Sequence, residues 1–463
     1  MATQEQLTTE YPVKSRYNAD ENQIDEQADE IELIDLKTDA GYFETLKIML
    51  NVGCKSFGGP MNQVEDLQKI FVDDLKWVNE ELFTEIFTIC CGIPGSVITQ
   101  VAIAIGSLVT NNWKGGVFAF IGLTLPGALI MGLFGCIYRI LQLNQLVVPC
   151  LGKLALHGFA SASVSVVFQA AWKFCTQMKV SWQDTFIIGS SLVLYILYQS
   201  PIFMLALMII GGFIMQMSQK EDYRTSVSVV SRDSIQIAEP RFSRVLQEQG
   251  GVFGKNSLYA YIIILAVLLI LRISLKTKDV EAAISFYYVG SLLMGGGHVG
   301  IPLLFTEFTA LNLITSDIFF NGFSVNNMIP GPIMNIAVYV GGFADGFKGA
   351  FIAYIFLYLP TFLFIWGVLP YWHSHRKDPN INNFIRGASL VSIGFVFATT
   401  YILWRNAGQD DVVTSSLLVV ISFVLLNIYE LPAPFVVLLG GVLMVVRYMT
   451  LRNYRGVEDY STC

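Results

Sequence analysis

The sequence predicts an all-α polytopic membrane protein made of two homologous six-span halves. They form an inverted repeat around a linker helix, with broken helices at Gly/Pro motifs. Three observations predict it. Hydrophobic residues make up 54% of the chain and charged residues only 14%, against about 25% charged in ordinary soluble domains. Apolar runs such as VFAFIGLTLPGALIMGLFGCIY (117–138), YAYIIILAVLLILRI (259–273) and AFIAYIFLYLPTFLFIWGVLP (350–370) recur. Runs of that size cross about 30 Å of hydrocarbon at ~1.5 Å per residue, and the short alternating strands of a membrane barrel are absent. Third, unusual residues recur in the same order. Gly58-Gly59-Pro60 meets Gly295-Gly296-Gly297, and Ile93-Pro94-Gly95 meets Ile329-Pro330-Gly331, 236 residues later. Lys114-Gly115 and Leu125-Pro126 meet Lys348-Gly349 and Leu359-Pro360, each 234 later, and His157-Gly158 meets Arg386-Gly387, 229 later. Five ordered matches with a slowly shrinking offset are the trace of a duplicated unit of about 170 residues.

Taken in order, residues 1–41 hold eleven Asp or Glu against three Lys or Arg. They read as a disordered acidic N-terminal tail without the basic-then-apolar pattern of a signal peptide. The tail supplies most of the net charge of −7, so the acidity says nothing about nucleic acid. The first repeat, 42–217, divides into apolar segments at 42–59, 83–109, 115–140, 148–172, 183–199 and 201–217. A polar cytoplasmic linker, 218–256, and a linker transmembrane helix, 257–274, follow. The second repeat, 284–450, has segments at 284–298, 316–342, 349–370, 384–404, 412–428 and 431–448, and 451–463 is a C-terminal tail. With a cytoplasmic N-terminus, the Arg-containing linker lies inside. An inverted arrangement also keeps the basic loop 371–385 inside but sends Arg447, Arg452 and Arg455 outside; a parallel arrangement reverses both. The linker span favours the inverted form.

Between the first two apolar segments lies MNQVEDLQKIFVDDLKW (61–77). Val64, Leu67 and Phe71 share one face, and Glu65, Asp66, Lys69 and Asp73 fill the rest. This is an interfacial helix, its charges mostly solvated and Trp77 at the headgroups. The seven cysteines have no paired spacing; Cys54, Cys90 and Cys91 read as small buried packing residues.

Candidate chemistry follows from what a broken helix offers. Its first turn presents free N–H groups and partial positive charge, enough to hold an anion without a basic side chain. Glycine permits close approach and positive φ, and proline is tolerated at the first helical turn. SFGGPMNQ (56–63) pairs with MGGGHVGIP (294–302), and IPGSVITQ (93–100) with IPGPIMNI (329–336). Backbone candidates for substrate binding are therefore Gly58, Gly59, Pro94, Gly95, Gly295, Gly296, Pro330 and Gly331. Ser96, Thr99 and Gln100 follow the first Pro-Gly, and Asn326, Asn327 and Asn335 flank the second. Paired asparagines are costly in hydrocarbon unless satisfied or lining a cavity. Lys55 and Arg386 offer positive charge, and His298 a titratable or neutral donor. Glu65, Glu85, His298 and Glu307 are the candidates for ion coupling. Each has a plainer reading: Gly and Pro abound in membrane helices as kinks and packing faces, and charges at span ends snorkel or face water.

No HExxH, Walker, CxxC or GxSxG pattern occurs, so neither an enzyme nor a cofactor or metal is expected. No soluble region is large enough for nucleotide-driving domains. Duplicated, Gly/Pro-interrupted segments are a secondary-transporter pattern.

These residues resemble the chromate ion transporter family in its long form with two homologous halves. SFGGPMNQVEDLQKIFVDDLKW, PGSVITQ, WKGG and LP carry the likeness in the first half, and GGGHVGIPLL, PGPIMNIAVYVG, KGAFIAY and LP in the second. The likeness covers about 42–450. The family's FGGP pattern falls on Phe57, Gly58, Gly59 and Pro60, its tryptophan on Trp77, and its Pro-Gly-Pro motif on Pro330, Gly331 and Pro332. In the first half that motif reads Pro94, Gly95, Ser96, which adds a hydroxyl and an N–H where proline has neither. The resemblance implies a transporter of chromate and/or sulfate. The dianion would bind between the repeats and move by alternating access, coupled to protons or a counter-anion. A passive inorganic-anion channel and a non-transporting membrane scaffold or receptor are the alternatives. Beyond these ligands the expected partners are the lipid bilayer and a second copy in a homodimer; the expected location is the plasma membrane.

Overall fold

The computed structural model describes residues 41–57, 60–143, 150–178, 180–198, 200–218, 235–293, 300–375, 378–407 and 411–455. The acidic tail up to Ala40, the linker over 219–234 and the chain beyond Arg455 fall outside the described residues. The first half contributes α1 (Tyr42–Lys55), α2 (Pro60–Gln68, continued by a π-turn over Lys69–Asp74), α3 (Glu80–Gly92), α4 (Val97–Val109), α5 (Trp113–Leu143), α6 (Cys150–Gln177), α7 (Trp182–Leu197) and α8 (Pro201–Ser218). The linker helix is α9 (Ile235–Leu275). The second half contributes α10 (Lys278–Ser291), α11 (Gly300–Ala310), α12 (Ser316–Asn326), a 3₁₀ turn over Ile333–Asn335, α13 (Ile336–His375), α14 (Pro379–Ala407), α15 (Val412–Asn427) and α16 (Ala433–Arg455).

The expected count of six spans per half needs correction. Among the described residues, six helices are long and apolar enough to cross a membrane: Trp113–Leu143, Leu154–Thr176, Gly254–Leu275, Ile333–Leu369, Pro379–Ala407 and Ala433–Thr450. Apolar run length and helix length diverge at the Gly/Pro motifs. Run 83–109 splits into α3 and α4 around Pro94-Gly95, and run 316–342 splits around Pro330-Gly331. Conversely, α13 is two helices merged across a kink at Asp345 and Gly346, the counterpart of the turn between α4 and α5. The linker differs too. The sequence reading keeps it irregular to residue 256, whereas α9 is continuous from Ile235, because good helix formers such as Arg, Leu, Gln and Glu extend a helix the apolar span has already nucleated. Ile262, Ile263 and Ile270 on α9 are about three-fifths exposed, as side chains facing lipid would be.

Repeat-related long helices pack on each other in opposite directions. The Trp113 ring sits 5.8 Å from Trp366, Phe120 4.8 Å from Phe362, Thr124 Oγ1 2.7 Å from Tyr354 Oη, and Arg139 3.7 Å from Asp345. As α5 ascends in number, α13 descends. The last two helices of each half pack on the other half: α7 and α8 on α14, α15 and α16 on α6. Lipid is as apolar as leucine, so such contacts rest on close van der Waals packing through small residues. A Cβ on Gly158 of α6 would meet the Gly440 carbonyl oxygen of α16 at 2.5 Å, and one on Gly387 of α14 would meet Gly212 Cα of α8 at 2.8 Å. Around these contacts Ala162 and Val166 pack with Leu426, Val436 and Val437, and Ile188 and Met215 with Leu390 and Ile393.

Both exchanged hairpins carry an aspartate in the cap of their first helix. Ser181 and Asp184 close a capping box at the start of α7, and Asp411 caps α15 by accepting from Thr414 N at 3.1 Å while pairing with Arg447. Burial works to raise the Asp411 carboxyl, but the Thr414 hydroxyl and N–H and the Arg447 guanidinium outweigh it and hold it below the usual aspartate value. That lowered value means the contribution is full above the ordinary aspartate range and is lost as pH falls through the lowered value.

On α2, Val64, Leu67 and Phe71 are buried and Glu65, Lys69 and Asp73 exposed. Two expectations fail nearby. Trp77 is 3% exposed with its ring 5.5 Å from Phe71, because the π-turn and positive-φ Lys76 fold it back inward. Asp66 is half-buried and accepts from Ser56 Oγ at 3.0 Å. Cys54 is exposed, since α1 turns Thr45, Met49, Val52 and Gly53 inward instead.

Overpacking ordinarily costs about 1–3 kcal/mol, and more where backbone must yield. Gly387→Val should therefore abolish the monodisperse peak in size-exclusion chromatography. Gly189→Ala, where a Cβ meets nothing within 4 Å, should leave it intact.

Candidate functional site

The two Pro-Gly breaks are tied to each other's halves by backbone. At the first, α3 ends at Gly92, Ile93 is extended, and Gly95 takes φ 135°. Its N–H donates to the Leu293 carbonyl at 2.5 Å, on the last residue before MGGGHV. At the second, Gly331 takes φ 113° and its N–H donates to the Ser56 carbonyl at 3.0 Å, immediately before FGGP. Gly95 and Gly331 are repeat-related, and so are Ser56 and Leu293, so the exchange is reciprocal. Only glycine holds such φ without strain.

Carboxamides cover the neighbouring carbonyls. Gln63 Nε2 donates to Gly331 O at 2.5 Å and Gln100 Nε2 to Pro94 O at 2.7 Å. Asn335 Nδ2 donates to Thr124 O at 3.3 Å, and its Oδ1 accepts from Tyr358 at 3.1 Å. Each break also faces the residue that follows a proline in the opposite long helix. A Cβ on Gly127, beside Pro126, would meet Pro330 O at 2.5 Å, and Thr361, beside Pro360, lies 3.2 Å from where a Gly95 Cβ would sit.

Since the Gly95 and Gly331 N–H groups already donate to carbonyls, the free backbone donors among the described residues at each break come from the turn that follows. In α4 the first intrahelical bond is Gln100 N to Ser96 O at 2.9 Å, so the N–H groups of Val97, Ile98 and Thr99 have no intrahelical acceptor. Ser96, the N-cap, makes no side-chain cap bond and is 1% exposed; Thr99 Oγ1 donates to its carbonyl at 2.7 Å. In the second half Pro332 has no N–H, which leaves those of Ile333 and Met334.

The sequence candidates separate accordingly. Pro94, Gly95, Ser96 and Gln100 converge with Leu293 and Thr361; Pro330 and Gly331 converge with Ser56 and Gln63. Asn326 Nδ2 donates to Ile333 O at 2.9 Å, while Asn327 Nδ2 donates to Phe323 O at 3.0 Å within its own helix. Lys55 is exposed at the last turn of α1, and Glu65 is exposed on α2. Glu85 falls on α3. Glu307 is half-buried and accepts from Ser285 Oγ at 2.7 Å. Arg386 bonds Asp184 at 2.7 Å, with side chains 20% and 2% exposed, so its charge is already matched. Gly58, Gly59, Gly295, Gly296 and His298 lie outside the described residues. Among the described residues, no group of three or more His, Cys, Asp or Glu is placed to hold a metal ion. Gln63 and Thr361 were missed by sequence reasoning; Gln63 ends the first glycine motif and Thr361 follows the recurring Leu-Pro, which are the signals that point to them.

Removing one partner of a buried ion pair ordinarily costs about 3–5 kcal/mol. Arg386→Met should therefore lower the thermal midpoint sharply, and the double variant Asp184→Asn/Arg386→Met should recover part of the loss. A double variant no more stable than the single one would show that Arg386 does not serve Asp184.

Comparison with known proteins agrees with this architecture. The chromate transporter family profile matches residues 43–215 and again 280–445, one match in each half. An uncharacterized transporter of Methanocaldococcus jannaschii is 26% identical over 76% of this chain and 81% of that protein. A probable chromate transport protein of Synechococcus elongatus is 22% identical over 86% and 93%, and a chromate transport protein of Pseudomonas aeruginosa is 22% identical over 76% and 78%. No solved structure matches. With both halves matched and the helices arranged as a polytopic membrane bundle, this chain belongs to the chromate transporter family.

Proposed function

We propose that this protein is a secondary transporter of tetrahedral oxyanions, chromate and/or sulfate, working by alternating access between two inverted halves. One observation carries the reading: the reciprocal backbone exchange between Gly95 and Leu293 and between Gly331 and Ser56. Two states in which the halves trade conformations contain the same kinds of bond, so neither access state is strongly preferred. The antiparallel run of α5 against the repeat-related part of α13 supports inversion, and the Arg-containing linker supports a cytoplasmic N-terminus. The relatives named for chromate transport support the substrate class. A tetrahedral dianion offers acceptors only, which suits the N–H groups of Val97 and Ile98 at the positive end of α4.

Purified protein in liposomes should accumulate radiolabelled sulfate and chromate, each competing with the other and each showing counterflow. Uptake without counterflow would mark a channel, and no flux of either from folded protein would remove the transport reading. Inversion is checked separately. In a cysteine-free background, Lys114→Cys and Lys348→Cys should react with impermeant reagent from opposite sides of the membrane; labelling from one side would refute it.

A further inference from the structure

We infer that the protein has one oxyanion site, at the first break, and that Ser96 is its specificity-determining residue; this rests on the transport reading and deepens it. Ser96 is the N-cap of α4 and is 1% exposed. An N-cap serine ordinarily turns its hydroxyl onto the N–H of the second or third helical residue, yet Ser96 makes no such bond. Its own N–H and those of Val97, Ile98 and Thr99 have no acceptor among the described residues. Four N–H groups and a hydroxyl are therefore unspent at the positive end of a 13-residue helix. Buried donors left bare are costly, and a tetrahedral dianion, which offers acceptors only, would satisfy them together.

The second break follows the same pattern but lacks this donor set. Pro332, the residue matching Ser96, has neither N–H nor hydroxyl. Asn335 N bonds Pro332 O at 2.9 Å, one residue sooner than the matching bond in α4, so Ile333 and Met334 alone keep free N–H groups there among the described residues. The Asn335 amide, matching Thr99, is held at both ends by Thr124 O and Tyr358. Each break carries one unpartnered glutamine oxygen, Gln100 Oε1 and Gln63 Oε1, so acceptors do not separate the two breaks and donors do. Charge points the same way. Asp66 accepts from Ser56 Oγ at 3.0 Å, and the Ser56 carbonyl is the one bonded to Gly331, so a carboxylate stands beside the second break and disfavours an anion there.

Ser96 sets how many donors meet one anion. Its φ and ψ are −75° and 111°, and those of Pro332 are −60° and 137°. Both φ values lie in the range of the proline ring, so proline fits at position 96 without moving the chain and removes two donors. A dianion leaves more hydration behind than a monovalent anion does and needs more hydrogen bonds in return. The N–H and hydroxyl of Ser96 therefore favour a tetrahedral dianion over a monovalent anion such as nitrate.

Full-length protein in nanodiscs should bind radiolabelled sulfate saturably, one per chain. Ser96→Pro should raise the half-saturating sulfate concentration at least about tenfold and shrink the preference for sulfate over competing nitrate. Ser96→Ala, which keeps the N–H, should raise it less. Ser96→Asp places a carboxylate where the anion sits. It should abolish sulfate binding, and its sulfate-free thermal midpoint should exceed that of sulfate-free wild type, because aspartate caps a helix and suits its positive end. Sulfate should raise the midpoint of the wild type and leave that of Ser96→Asp unmoved. No saturable binding in monodisperse wild type, two sulfates per chain, or wild-type affinity and selectivity in folded Ser96→Pro overturns the proposal. If Ser96→Pro does not fold, saturable sulfate binding by Ser96→Asp overturns it instead. Sulfate binding that depends on Ser96 with no oxyanion flux in liposomes would defeat the transporter reading alone; flux indifferent to Ser96→Pro would defeat this site alone.

Discussion

The structure depends on a reciprocal pair of backbone hydrogen bonds. A helix broken inside a membrane leaves N–H and C=O groups that hydrocarbon cannot satisfy, each at a cost of several kcal/mol by the usual measure, of order 2–7 kcal/mol per group. Here each half answers the other's need: Gly95 donates to Leu293 and Gly331 donates to Ser56. Both glycines hold positive φ, so the requirement for glycine at these places follows from the bond that crosses the halves.

The exchange extends outward. The long helices α5 and α13 bring the residues after their prolines against the opposite breaks. Gly127 lets Pro330 approach, and Thr361 stands over Gly95. Farther out, the terminal hairpins α7–α8 and α15–α16 leave their own half and pack on α14 and α6. Their glycine contacts and the Asp184–Arg386 pair hold the two halves as one unit. Arg386, attractive in isolation as a substrate cation, is a consequence of this exchange: the partner that neutralises it sits in the other repeat.

Carboxamide nitrogens are drawn onto the broken backbone's carbonyls, Gln100 onto Pro94 and Gln63 onto Gly331, so carbonyl groups at both breaks are satisfied by side chains where hydrocarbon would leave them bare. The first-turn N–H groups of α4 face back toward the break, at the positive end of the helix dipole.

The sequence by itself determined a good deal. Composition required a membrane bundle, the ordered recurrence of Pro-Gly, Lys-Gly and Leu-Pro revealed the duplication, and Pro94-Gly95 and Pro330-Gly331 marked the breaks. These are legible because local chemistry dictates them: a proline cannot continue a hydrogen-bonded turn, and charge cannot sit in hydrocarbon unpaired. Span lengths were misread, because an apolar run does not show where its helix stops. Trp77 was placed at the headgroups because composition cannot reveal a π-turn that folds the chain back. Only the tertiary structure decided that the Gly95 and Gly331 N–H groups are occupied, that Arg386 belongs to Asp184, and that Gln63 and Thr361 attend the breaks. Each of those facts joins residues about two hundred positions apart or more, a pairing that loop closure and packing decide and that no local pattern encodes.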